Sequence, residues 1–244
     1  MSKYQVKELI PAKEKNKIVD KALQKVNIPK HLPQPPFRSL YIAPSFSGKT
    51  LAIGNLLTNE HLGYKELFGK NVFIFSPTIT LSDPSLYGVD IPEENIYDDY
   101  SEEIIQEIID EQSEIIKEFK KEKAPHVLLI LDDIITSIPD TKKDILKKLF
   151  FSARHYKISL IVTSQQFNQV SRGIRLNASN IFVFTVNNSE VKRIGEEQAI
   201  DYDLWKEIYE EATAEPYSFL HINMKAPIKE RYLLRYEPLQ FSWN

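Results

Sequence analysis

The sequence predicts an α/β fold, with a central, mostly parallel sheet flanked by helices and a short C-terminal hairpin. Three observations predict it. Residues 39–57 read as a strand, a tight loop and a helix. Residues 126–133 form an apolar run that ends in two carboxylates. Five apolar strands alternate with helical segments before a hairpin pattern closes the chain, the order expected of a doubly wound sheet.

Residues 1–36 stand apart as an N-terminal arm and linker. Lysines accompany a weak helical period (Leu9, Ile18, Val19, Leu23, Val26), then Pro29-Lys30-His31-Leu32-Pro33-Gln34-Pro35-Pro36 follows. That proline density suits neither helix nor central strand. The segment reads as a solvated tail in preference to an arm docked on a neighbour. The core is expected over 37–215, and the hairpin extension over 216–244.

In the core, Leu40–Ala43 reads as a buried strand. It breaks at Pro44-Ser45-Phe46-Ser47-Gly48, and Lys49-Thr50 opens a helix with apolar Leu51, Ile53, Leu56 and Leu57. Strand, loop, Gly-Lys-Thr and helix is the layout of a phosphate-binding P-loop. The loop from Pro44 through Leu51 would cradle the phosphates, with its backbone N–H groups from Ser45 onward facing them, aided by the helix dipole. Lys49 would set its ammonium against the β- and γ-phosphates, and the Thr50 hydroxyl would ligate Mg²⁺. ATP with Mg²⁺ is therefore the expected ligand. One position departs from the pattern: Ala43 replaces the first glycine, which carries a steric cost if φ there is positive.

A second strand over 71–77 stops at Pro77, and residues 80–100 are rich in turn formers and acids. Residues 102–123 carry Ile104, Ile105, Ile108, Ile109, Ile115, Ile116 and Phe119 on one stripe, the signature of an amphipathic helix. Within the run at 126–133, the residues between His126 and Asp132 are all apolar, as expected of a strand buried on both faces. Ligands of open α/β sheets bind beyond the carboxyl ends of the strands. Asp132 and Asp133 therefore emerge beside the P-loop, in the manner of a Walker B motif. Asp132 is the carboxylate on the Mg²⁺ side, and Asp133 is placed to polarise the attacking water.

A helix over 141–156 ends in Arg154-His155. The strand at 157–163 leads into Ser164-Gln165-Gln166, where Gln165, backed by Thr163 and Ser164, is the candidate for sensing the γ-phosphate or holding water. Arg172 and Arg175 precede a strand at 181–185. Residues 191–212 read as helical, and 217–223 with 231–236 as the hairpin.

Composition bounds the rest. The chain has 244 residues, 42% of them hydrophobic and 27% charged, as in an ordinary globular protein. No apolar stretch approaches the roughly 18 to 20 residues of a membrane span. With no cysteine there is neither a disulfide framework nor a cysteine zinc site. A net charge of −3 leaves nucleic-acid binding to local patches or to several subunits together.

Taken in order, the motifs resemble the FtsK–HerA superfamily of P-loop ATPases, and within it the genome-packaging ATPases of poxviruses, giant viruses and virophages. The resemblance rests on Ala43-Pro-Ser-Phe-Ser-Gly-Lys-Thr50, Ser76-Pro-Thr78, Leu129-Ile-Leu-Asp-Asp133, Arg154 through Gln165, and Arg175-Leu-Asn177. It implies a RecA-like motor that hydrolyses ATP to pump double-stranded DNA into a preformed capsid. It further implies a homo-oligomeric ring, hexamer or pentamer, seated on capsid vertex proteins in the host cytoplasm. An arginine from the neighbouring subunit would complete each site, which maps onto Arg172, Arg175 or Arg154. Asp133 departs from the Asp-Glu pair of many relatives and is shorter by one methylene. DNA contacts could fall on Lys142, Lys143, Lys147 and Lys148 or on 187–193, although these residues equally fit a solvated face. Two other readings compete: a P-loop kinase of a nucleotide or other small molecule, and an ATP-binding assembly factor that does not hydrolyse.

Overall fold

A computed structural model describes residues 20–78, 91–134, 138 and 144–239. Lys142 and Lys143 lie outside the described residues, as does the part of the turn-rich, acidic stretch at 80–90.

Among the described residues, nine strands form one sheet in the order β3-β2-β4-β5-β1-β6-β7-β8-β9. They are β1 (Arg38–Ile42), β2 (Val72–Phe75), β3 (Ile96–Tyr97), β4 (Val127–Leu131), β5 (Ile158–Ser164), β6 (Asn180–Val183), β7 (Leu220–Asn223), β8 (Tyr232–Leu234) and β9 (Glu237–Pro238). Pairing is parallel from β3 through β6 and antiparallel from β6 to β9. The sheet is thus mostly parallel, and the hairpin extends it instead of forming a separate layer.

Apolar residues of β4 alternate between two cores. Leu128 and Ile130 join one face with helices α1 (Lys49–Thr58) and α2 (Tyr64–Phe68). Val127, Leu129 and Leu131 join the other. That second face is covered by α3 (Glu102–Phe119), α4 (Asp144–Ser152), α5 (Arg172–Asn177), α6 (Asn188–Gln198) and α7 (Tyr202–Ala212). Burial on both faces is why the β4 sequence shows no polar alternation.

Several expected boundaries move, each for a local reason. The helix expected over 102–123 starts at a Ser101 cap, whose hydroxyl accepts from the Ile104 N–H, and stops at Phe119, where Lys120 takes φ 65°. The helical stretch at 191–212 is two helices, parted where Ala199 takes φ 54° and restarted by the Asp201 cap. Residues 20–36 also differ from a solvated tail. Leu32 is buried, and Ala22, Leu23, Val26 and Ile28 pack against the α1–α2 face. The Asp20 carboxylate reaches His126 and Lys157 at the amino-terminal ends of β4 and β5. Proline kept this segment out of helix and strand, but its apolar residues still found the core.

Candidate functional site

Register sets the site. Ile42 of β1 pairs with Ser164 of β5, and Leu131 of β4 pairs with Val162 of β5. The carboxyl ends of three neighbouring strands therefore finish level, and the residues that follow each strand share one edge. Those residues are the phosphate loop after β1, Asp132 and Asp133 after β4, and Thr163 to Gln165 at the end of β5.

The loop explains its own composition. Ala43 is buried, and its N–H continues the ladder to the Ser164 carbonyl at 3.0 Å. Its φ is not among the positive ones. The strain anticipated at Ala43 is therefore absent, because the chain stays extended through that residue and turns later. The left-handed positions are Phe46 (φ 61°), fully exposed at the loop, and Gly48 (φ 88°), which precedes α1. Glycine suits position 48 on two counts. Its φ disfavours a side chain, and a Cβ there would come within 3.0 Å of the Tyr217 ring.

Lys49, only 8% exposed, opens α1 and faces both carboxylates. Its Nζ lies 2.5 Å from Asp133 Oδ2 and 3.3 Å from Asp132 Oδ1. Burying an ammonium without such partners is strongly unfavourable. Thr163 fixes the pair from β5: its hydroxyl donates to Asp132 Oδ1 at 2.7 Å and accepts the Asp133 N–H at 2.8 Å. Asp133 takes φ 52°, a left-handed conformation that aspartate tolerates better than most residues. Ser76, at the end of β2, places its hydroxyl 3.5 Å from Asp132 Oδ2.

Beside the acids lies a cavity of about 130 Å³, lined by Asp133, Thr163, Ser164, Gln165 and Gln169. Several waters fit in that volume. The turn that carries Gln165 is braced from behind. Glu190 accepts the Phe167 N–H at 2.6 Å. Arg175 donates to the Val170 carbonyl, pairs with Glu197 at 2.6 Å, and stacks over Phe167.

The three arginines therefore part company. Arg175 is spent inside its own subunit. Arg172 is exposed, and among the described residues it makes no ion pair. Arg154 lies just before β5, at the sheet edge opposite Lys49. Of the lysines considered for DNA, Lys147 is exposed and paired with Asp144 at 3.1 Å.

The donor set suits a hard cation. Mg²⁺ at nucleotide sites takes one or two carboxylates, with phosphate oxygens and water completing the shell. Asp132 and the Thr50 hydroxyl would supply that chemistry.

Thr163 and Ser76 carry more of this geometry than the sequence suggested. Thr163 figured there only behind Gln165. Ser76 ends a strand that finishes beside β4, and that shared edge was the available signal.

Residues 27–208 match the family model described as Poxvirus A32 protein. The chain belongs to that family. It is 28% identical over 148 residues to an uncharacterised protein, 088R, of Invertebrate iridescent virus 3, spanning 59% of this chain and 55% of that one. A second relative, 075L of Invertebrate iridescent virus 6, is 29% identical over 100 residues, spanning 41% and 38%. This A32-family chain thus aligns with about half, or less, of the length of these curated relatives. Among solved structures it resembles the genome packaging NTPase B204 of Sulfolobus turreted icosahedral virus 2, determined with AMP. The TM-score is 0.54 at 16% identity, covering 78% of this chain and 94% of that one. EssC (ATPases 2 and 3) of Geobacillus thermodenitrificans is similar at TM-score 0.51 and 14% identity, covering 77% and 38%. At these identities the likeness is one of fold alone.

Proposed function

We propose that this A32-family chain is the ATPase of a viral genome-packaging motor, driving double-stranded DNA into a preformed capsid as a homo-oligomeric ring. The observation that carries this reading is the meeting of Lys49 with Asp132 and Asp133 at the carboxyl edge of a P-loop sheet. Family membership favours packaging over the small-molecule kinase reading.

In this proposal the loop 44–51 surrounds the phosphates, its amides from residue 45 onward hold them, and Lys49 neutralises the β- and γ-phosphate charge. Thr50 and Asp132 would hold Mg²⁺, which supplies further charge neutralisation on the phosphate oxygens. Phosphate oxygens compete with Asp133 for the Lys49 ammonium. A carboxylate released from that pair is free to accept a proton from water in the adjoining cavity, with Gln165 orienting the same water. Thr163 keeps both acids in position. Arg172, exposed and unpaired among the described residues, is the best placed to reach a neighbour's γ-phosphate, and such an arginine contributes about 10³- to 10⁵-fold in rate. Arg154 is the alternative, and Arg175 the least suited. Capsid vertex proteins and the cytoplasmic viral factory follow as partner and place.

Phosphate release by the purified protein, with and without double-stranded DNA, tests the reading, alongside particle mass in ATP and Mg²⁺. DNA-stimulated release together with ring-sized particles is expected. Release that ignores DNA would overturn the motor assignment. An Arg172→Ala protein mixed with an Asp133→Asn protein should regain activity that neither has alone.

A further inference from the structure

The hairpin brings an aromatic residue to the phosphate loop that none of the roles above uses. Tyr217 precedes β7 and takes φ 60°, yet it remains 68% exposed. The neighbouring hairpin aromatics are covered: Phe219 and Tyr232 are buried, and Tyr236 packs on the α1–α2 core. Packing therefore does not account for a tyrosine at position 217.

Its mounting is rigid. The next residue, Ser218, is 2% exposed, and its hydroxyl accepts from Arg235 Nε at 3.1 Å. The Arg235 N–H donates to the Phe219 carbonyl at 2.9 Å. The Tyr236 hydroxyl donates to the Ala52 carbonyl at 2.7 Å, tying the hairpin to the helix that carries Lys49 and Thr50. Tyr217 Cδ1, Cβ and Cγ lie 3.0, 3.5 and 3.6 Å from the point a Cβ on Gly48 would occupy. Ring and phosphate loop form one unit.

Sheet order gives the ring its direction. On one side of β1 stand β5 and β4, with Asp132 and Asp133; on the other stand β6 and β7, with Tyr217. A triphosphate whose γ end faces the acids must send its nucleoside the other way. On that side the Tyr217 ring stands exposed against Gly48.

We infer that Tyr217 is the nucleobase platform of this site, stacking a purine of the bound nucleoside triphosphate on its exposed ring. The inference rests on the nucleotide reading above and adds where the base lies. Stacking reads a π-face and no base edge, so the platform holds ATP and GTP alike and separates both from bare polyphosphate.

Equilibrium binding of ATP and of inorganic tripolyphosphate, each with Mg²⁺, tests it on the full chain and on Tyr217→Ala and Tyr217→Phe. Loss of base stacking weakens ATP binding about 5- to 100-fold in Tyr217→Ala. Tripolyphosphate binding stays within about twofold, and Tyr217→Phe binds both like the parent. ATP and tripolyphosphate weakened equally would make Tyr217 a support of the loop and overturn the platform. Unchanged ATP binding in Tyr217→Ala would overturn it alone, leaving the nucleotide site standing. A parent protein that binds neither ligand would overturn the nucleotide reading, and the platform with it.

Discussion

Two buried lysines stand at opposite ends of the same sheet, and each faces a carboxylate. Lys157, 1% exposed at the amino-terminal end of β5, uses all three of its donors. They go to Asp20 at 2.8 Å, the Ala124 carbonyl at 2.5 Å and the Lys121 carbonyl at 3.1 Å. Two of those acceptors are backbone carbonyls fixed by the chain itself. Lys49 at the carboxyl end has Asp133 and Asp132 as its ion-pair partners, beside an open cavity. Its acceptors are side chains that a phosphate can replace. A saturated ammonium is a clamp, whereas one paired through exchangeable carboxylates can serve a site.

Variants can break that contrast. Lys49→Ala should lower phosphate release by about 10³-fold or more, since the reaction relies on charge neutralisation, while far-UV circular dichroism remains that of the parent. Turnover near the parent rate would remove Lys49 from the site. Asp133→Asn should slow turnover by about 10²- to 10⁴-fold, the usual contribution of a positioned general base, with ATP binding retained in a filter or fluorescence titration. Loss of binding instead would make Asp133 a structural partner of Lys49.

The mirror variant is Lys157→Met. It removes the cation beside Asp20 and leaves two carbonyls without that donor, which costs about 3 kcal/mol in denaturant unfolding. Phosphate release per folded molecule should stay within about twofold. A selective loss of turnover with unchanged stability would erase the distinction between the two lysines.

Acid sharpens the same contrast. Burial, reinforced by the Lys157 charge, pushes His126 down to about 4 despite Asp20 at 3.0 Å. Burial would raise the Asp20 carboxyl, but the Lys157 hydrogen bond and the nearby charges hold it below its ordinary value. The folded state therefore keeps His126 neutral, donating from Nε2, with a buried Nδ1 that finds no partner among the described residues. An unfolded histidine titrates near 6.5. Stability from this group is complete above about pH 6.5 and declines as pH falls toward 4, by up to about 3 kcal/mol. His221, pushed down to about 3 chiefly by burial, acts in the same direction. Melting curves across that range should show the decline, and His126→Gln should make it shallower, leaving the share due to His221. A parent whose melting point is level from pH 6.5 to 4 would contradict the buried neutral histidine.

Much of this protein was legible in one dimension. Local signals lie within a few residues of each other, so strand-loop-Gly-Lys-Thr-helix and the apolar run into Asp132-Asp133 show both elements and chemistry directly. Alternating strands and helices gave the parallel sheet, because such strands need helical crossovers. Other features depended on distant partners. Gln165 could be picked by its place after a strand, but Thr163 as the residue holding both acids could not, since that follows from β5 lying between β1 and β4. Arg175 and Arg172 look alike in sequence. Only the fold sets Glu197, the Val170 carbonyl and Phe167 around the first and leaves the second exposed.

The sequence by itself determined the α/β class, the phosphate loop and the paired carboxylates, because each is written in contiguous residues with a fixed local geometry. Tertiary structure decided that Ala43 stays extended, that residues 20–36 join the core through Asp20 and Leu32, and that Tyr217 lies against Gly48. Those outcomes depend on which strands become neighbours and where their ends fall. Strand order and register come from packing across the whole sheet, and no single segment of the chain encodes them.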